Sequence, residues 1–169
     1  MTAEEQALSE LPWDLINKYA ALFKLDPALV GAVVMTESAG DEWAVRIELH
    51  WQYYLETKKF ARLNRITEVT ERALQACSWG LMQVMGSVAR EHNYSGPLHK
   101  LADPDLGLRY GCKHLAKFVA KHPNINDAIA SYNAGAPVKG LDGRYKNNEY
   151  VVKVCILRDT IKSKLNKGV

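Results

Sequence analysis

Asp26-Pro27-Ala28-Leu29-Val30-Gly31-Ala32-Val33-Val34-Met35-Thr36-Glu37-Ser38-Ala39-Gly40 is the stretch whose reading decides the fold. Asp26 is suited to cap a helix, because its carboxylate can accept from the first unpaired N–H groups, and Pro27 fits the first helical position. Ala28–Met35 carries no polar side chain. A helix that is apolar nearly all round has to be buried, and eight residues are too few to span a bilayer. The spacing predicts a core helix over about 27–38, stopped by Gly40. Glu37 stands at its C-terminal end. Loss of water and the negative end of the helix dipole both disfavour a carboxylate there. That is the setting of an acid meant to donate a proton near neutrality. It also fits a Glu that simply emerges into solvent at a helix end.

Outward from this helix, a period near 3.6 dominates. Leu15, Ile16, Tyr19, Leu22 and Phe23 form an apolar stripe that ends near Lys24. Amphipathic segments follow at about 50–63 and 66–77, the second with Ile66, Val69, Ala73, Leu74 and Cys77 in step. Ser78–Val84 reads as a turn with strand character, and a short helix is expected from about Ser87 to His92. Asp103-Pro104 opens a helix that buries Leu108, Cys112, Leu115 and Val119 and stops at His122-Pro123. Asn126 is expected to cap a short helix ending at Ala134-Gly135. A last helix, about 148–164, buries Tyr150, Val154, Leu157 and Ile161. The expectation is a mainly α (α+β) fold with at most a minor sheet, a single domain over 1–169 that contains no repeat or linker.

Apolar residues make up 47% of the chain and charged residues 24%, which excludes a disordered chain. The net charge of +3 is weak support for a polyanionic partner. Cys77, Cys112 and Cys155 form an odd set without CxxC spacing and read as small buried hydrophobes, not a disulfide framework. Met1–Glu10 is acidic and polar, so no export signal is read there and synthesis in a cytoplasm is expected.

Other chemistries find no support. There is no phosphate loop, GxGxxG, GxSxG or HExxH motif. The five His never pair with Cys or acid at metal-ligand spacing, so no metal is expected. No basic-aromatic interleaving marks a nucleic-acid platform. Asp41 and Glu42 follow Glu37 closely, but Gly40 breaks the helix between them, and acid pairs flanking a glycosidic bond need about 5 to 9.5 Å across the sugar. Glu48 is a more remote second carboxylate. Gly80-Leu81-Met82-Gln83 offers a glycine for close approach and an amide that can read hydroxyl or acetamido groups. Tyr132-Asn133-Ala134-Gly135 ends a short helix and can project two polar side chains into a cleft.

Glu37-Ser38, Gly80-Leu81-Met82-Gln83, Ser131-Tyr132-Asn133-Ala134-Gly135 and Tyr150-Val151, in this order, resemble the motifs of the soluble-type (SLT) lytic transglycosylases, relatives of goose-type lysozymes. The resemblance covers about residues 25–157. It implies a lysozyme-like fold that holds peptidoglycan glycan strands and cuts the MurNAc-β-1,4-GlcNAc bond without a cofactor, leaving 1,6-anhydromuramic acid. It makes Glu37 the catalytic acid/base and puts Tyr132 beside it. It places Ser38, Met82, Gln83 and Asn133 along the sugar subsites, with Tyr150 packed behind the site or reaching it.

Ser131 stands where the family has Ala, and an insertion at about 43–78 lengthens the chain between the first two motifs. Its aromatics, Trp43, Trp51, Tyr53 and Tyr54, can stack on sugars, though core packing is the expected role. The insertion can also bring in Glu48, and with Asp41 or Glu48 as helper the protein would be a goose-type muramidase with water as nucleophile. A non-catalytic wall-binding or virion module is a further alternative. A chain with such an insertion resembles bacteriophage or prophage wall-degrading enzymes, endolysins among them. Such an enzyme reaches the wall by release or virion delivery and works as a monomer, without nucleic acid or membrane insertion.

Overall fold

The computed structural model describes residues 3–165 of the 169-residue chain. The expected core helix forms as α3, Pro27–Ser38, and Asp26 caps it by accepting from the Ala28 N–H at 3.0 Å. Every residue from Ala28 to Met35 is buried. The helix ends at Ser38, two residues before Gly40. Ala39 itself turns left-handed (φ 54°), and its N–H bonds the Met35 carbonyl. Ser38 Oγ then accepts from the Gly40 N–H at 3.2 Å, so the turn is closed by a side chain as well as by glycine.

The chain forms two units. The first takes in the described residues up to 40 and from 112 onward; the second is residues 41–111. In the first, α1 (Ala3–Ser9) and α2 (Trp13–Phe23) precede α3, and the later part of α7 (Pro104–Lys121), α8 (Ile125–Ala134) and α9 (Asn148–Leu165) follow. α3 packs most extensively on α9 and next on α2, while α8 lies on α9. Val154, Leu157 and Ile161 of α9 are buried as expected, and so is Leu115 of α7. Leu22 is not. The buried face of α2 is Ile16, Tyr19 and Ala20, and Leu22 projects away from it, 62% exposed. The cap of α8 is Asn124 rather than Asn126: Asn124 Oδ1 accepts from the Asn126 N–H at 3.0 Å. Asn126 Oδ1 instead accepts from Cys155 Sγ at 3.3 Å. Gly135 ends α8 left-handed, at φ 78°.

The second unit holds an antiparallel sheet in the order β1 (Val45–Ile47), β2 (Cys77–Trp79), β3 (Val84–Met85). Around it lie α4 (Thr57–Asn64), α5 (Glu68–Gln75), α6 (Gly86–Glu91), a 3-10 turn at Leu98–Ala102 and the start of α7. The helix expected over 50–63 begins only at Thr57. The one expected over 66–77 gives up its end to β2, because Cys77–Trp79 pair with β1. Gly80 turns the chain between β2 and β3 at φ 65°, where a Cβ would meet the Leu101 carbonyl at 2.7 Å. Both reasons demand glycine.

α5 overturns its apolar pattern. Val69 is 77% exposed, while Glu71 and Gln75 are fully buried. Glu71 holds the equally buried Arg90 of α6 in a two-pronged pair, at 2.9 and 3.0 Å. Arg90 also donates to the Tyr94 and Gly96 carbonyls, both at 2.8 Å, and lies over the Phe60 ring. Gln75 donates to Glu71 and to the Leu55 carbonyl and accepts from the Leu55 N–H. The insertion is thus folded around a satisfied charge pair and not around its aromatics. Trp43 and Tyr53, expected in the core, are 71% and 76% exposed. Trp51 caps its own turn by donating to the Tyr53 carbonyl. Tyr54 stacks under Arg72.

The architecture is mainly α with one small sheet. Breaking a buried ion pair from one side leaves the other charge stranded, at about 3–5 kcal/mol. Glu71→Ala should lower the unfolding free energy by that amount in urea denaturation. A loss below about 1 kcal/mol would show that the carbonyls around Arg90 suffice.

Candidate active site

α3 carries Glu37 out of the buried core to a half-buried position at its C-terminal end. Residue 150, 113 positions further on, lies in the first turn of α9, the helix most closely packed on α3. Its phenol donates to Glu37 Oε1 at 2.7 Å. The expectation for Tyr150 left open whether it sits behind the site or reaches it; the side chain binds the carboxylate itself. Burial pushes the Tyr150 pKa strongly up, and the Glu37 charge, Tyr132 and the hydrogen bond add to it. A phenol held this way remains a donor throughout the neutral range.

Tyr132, near the end of α8, belongs to the same cluster. Withdrawal from water raises its pKa well above the ordinary value, with the Glu37 carboxylate and then Cys112 contributing further. Its ring packs on the His114 imidazole, with centroids 5.5 Å apart, and His114 in turn meets the Phe118 edge. Cys112 is buried, which pushes its thiol up to about 12 and makes it inert. Ser38 Oγ donates to the Val34 carbonyl at 3.3 Å besides accepting from Gly40, so it shapes the turn directly after Glu37. Asn133 is exposed, and its Oδ1 accepts from Asn147 Nδ2 at 2.9 Å.

Three of the expected residues lie in the second unit. Met82 has no exposed surface and therefore lines no open subsite; it packs against Gly111 of α7, where a Cβ would collide with its side chain. Gln83, left-handed at φ 46°, donates to the Ala44 carbonyl at 2.9 Å and to the Gly80 carbonyl at 3.0 Å. Its Oε1 accepts from Ser78 Oγ at 2.8 Å, so the amide ties the β2–β3 turn to the residue before β1. Glu48, the residue after β1, is forked by Arg46, with both contacts at 2.7 Å.

Sequence reasoning missed Asn147 and the bond from Tyr145 to Asp127 (2.6 Å) that anchors the loop before α9. A hydrogen bond between side chains in a loop leaves no periodic trace. Among the described residues no group of three or more His, Cys, Asp or Glu is placed to hold a metal. None of the described helices is long and apolar enough to cross a membrane.

The family model of the transglycosylase SLT domain matches residues 14–151 and runs through both units. The chain belongs to the SLT transglycosylase family. No curated protein matches it. Membership agrees with the mainly α, lysozyme-like architecture and assigns the SLT domain the general activity of its family, lytic transglycosylase chemistry on peptidoglycan.

Two outcomes follow from the Tyr150 bond. A hydrogen bond to a charged group is worth about 1.5–3 kcal/mol, so Tyr150→Phe should lower kcat roughly 10- to 100-fold with the fold unchanged, measured on purified peptidoglycan. The raised phenol pKa values also couple to stability. The folded SLT domain holds the Tyr132 and Tyr150 protons more tightly than the unfolded chain. Their contribution is therefore complete below pH 10 and is lost as the pH rises beyond it, by about 1.4 kcal/mol per pH unit for each phenol. Urea titrations between pH 9 and 11 should show this decline, and Tyr150→Phe should make it shallower.

Proposed function

We propose that Glu37 is the single general acid/base of a lytic transglycosylase that cuts the MurNAc-β-1,4-GlcNAc bond and closes a 1,6-anhydromuramic acid ring, in the service of cell-wall degradation. The observation that carries this reading is the Tyr150–Glu37 hydrogen bond, in a chain of the SLT family, with the Tyr132 phenol under the influence of the same carboxylate.

The protonated Glu37 gives its proton to the leaving glycosidic oxygen as the C1–O bond breaks. The resulting carboxylate then takes the proton of the muramyl C6 hydroxyl, whose oxygen bonds to C1. One carboxyl group serves both steps and finishes protonated, as it began. Water is not consumed and no electrons are transferred, so the chemistry needs no cofactor. The sugar's own acetamido group is proposed to assist at C1, in the place of a second carboxylate. A well-placed acid/base supplies about 10²- to 10⁴-fold of the rate. Tyr150 holds the carboxyl in one orientation and, as a donor to it, favours the stage at which Glu37 is ionised. Tyr132 is proposed to act on the acid or on the acetamido group, with Ser38 and Asn133 contacting sugar.

Glu37→Gln is nearly isosteric but has no acidic proton, and should abolish turnover with unchanged unfolding. The products of the wild type on purified sacculi, read by mass spectrometry, should end in anhydromuramic acid, one water lighter than a reducing end. Reducing ends would transfer the reaction to a muramidase in which water attacks, with Glu48 as the second carboxylate to test. Turnover surviving in Glu37→Gln would remove Glu37 from the chemistry. An absence of product would leave a wall-binding module.

A further inference from the structure

We infer that Asn147 is a positioning residue that fixes the orientation of the Asn133 amide, so that Asn133 meets the glycan as a hydrogen-bond donor. The inference rests on the reading of Asn133 as a sugar contact.

A side-chain amide carries two N–H donors at one end and an acceptor oxygen at the other. Which end faces outward decides what it can recognise. Asn147 Nδ2 donates to the Ala130 carbonyl at 3.0 Å and to Asn133 Oδ1 at 2.9 Å. The first of these fixes Asn147 on a carbonyl near the C-terminal end of α8. The second turns the Asn133 oxygen toward Asn147. Asn133 is exposed, so its Nδ2 is left at the outer end of the side chain. That end pairs with an acceptor oxygen of the glycan and rejects a donor.

Asn147 is itself held from both sides. Its carbonyl accepts from the Val151 N–H at 3.2 Å, which makes it the entry to α9, three residues before Tyr150. The loop leading to it is a small hairpin. Lys139 bridges to Tyr145, the Lys146 N–H bonds the Val138 carbonyl at 2.9 Å, and Tyr145 Oη donates to Asp127 Oδ1 at 2.6 Å. The Lys139 ammonium lies over the Tyr145 ring. One residue thus joins the end of α8, with Tyr132 and Asn133, to the start of α9, with Tyr150.

The test is Asn147→Asp, close in shape but without N–H groups. Its carboxylate faces two acceptors, so the Asn133 amide should reverse and turn its oxygen outward. The expected result on peptidoglycan is a KM raised about tenfold with kcat changed less than threefold. Asn133→Ala, which keeps Asn147 intact, should raise KM similarly, and Asn133→Ala/Asn147→Asp should raise it no further, because the effect passes through Asn133. A KM effect of Asn147→Asp that is equally large in the Asn133→Ala background would reduce Asn147 to a structural residue and overturn the inference. Should Asn147→Asp fail to fold, an unchanged KM in Asn133→Ala overturns it alone. Wild-type turnover that does not depend on Glu37 would instead strike the functional reading on which the inference rests.

Discussion

The 2.7 Å bond from Tyr150 Oη to Glu37 Oε1 ties the C-terminal end of α3 to the first turn of α9. Those two helices form the most extensive contact in the molecule, and α2 and α8 pack against them. α3 has no polar face to spare: Ala28 to Met35 is buried all round, and the chain turns polar only at Thr36, Glu37 and Ser38. The acid therefore sits at the first point where a core helix reaches water. Moving Glu37 one turn earlier would bury an unpaired carboxylate, and moving it later would lose the rigid support. Packing and proton chemistry meet at this residue, and the phenol is the polar partner that lets a half-buried carboxyl stay in place.

The second unit solves a different problem. Its segment between β1 and α4 leaves Leu49 and Tyr53 facing solvent, as do Trp43 before β1 and Val69 on α5. Glu71, Gln75 and Arg90 do the joining instead. Arg90 reaches Glu71, Tyr94 and Gly96, and Gln75 binds both backbone groups of Leu55. Such a network specifies one arrangement because each donor has a defined acceptor, and any shift strands a charge. Gln83 works in the same way at smaller scale, with both amide ends used to hold the β2–β3 turn.

These differences explain how far the sequence could be read. α3 was legible from its unbroken apolar run after the Asp26 cap, and α7, α8 and α9 because burial by apolar side chains leaves a 3.6-residue period, which Gly135 punctuates. α5 was legible as a helix but not in its orientation, since its inner face is Glu71 and Gln75 and its outer face carries Val69. Period counting takes apolar as inward, and here a remote arginine reverses that. In the site, Glu37 stood out from position alone, whereas the partnership of Tyr150 depends on packing between helices 113 positions apart. Met82 and Gln83 were legible as a motif, but not the packing of Met82 on Gly111 of α7 nor the bonds of Gln83 to Ala44, Gly80 and Ser78.

A single acid/base has to deliver a proton and then recover one, from two different oxygens, without a second carboxylate to share the charge. Under the chemistry proposed, that demands neighbours that do not themselves titrate between the two steps. A phenol meets the demand, since its ordinary pKa is about 10, and burial beside the Glu37 charge moves Tyr132 and Tyr150 further up, so in this scheme both stay neutral while Glu37 alternates. A histidine in either place would titrate near the working pH and compete for that proton. His114 stands one ring further out, packed against Tyr132 and Phe118, and helps to confine the phenol without replacing it. Both phenols are half-buried, Tyr132 on α8 and Tyr150 on α9, the helix that packs on α3.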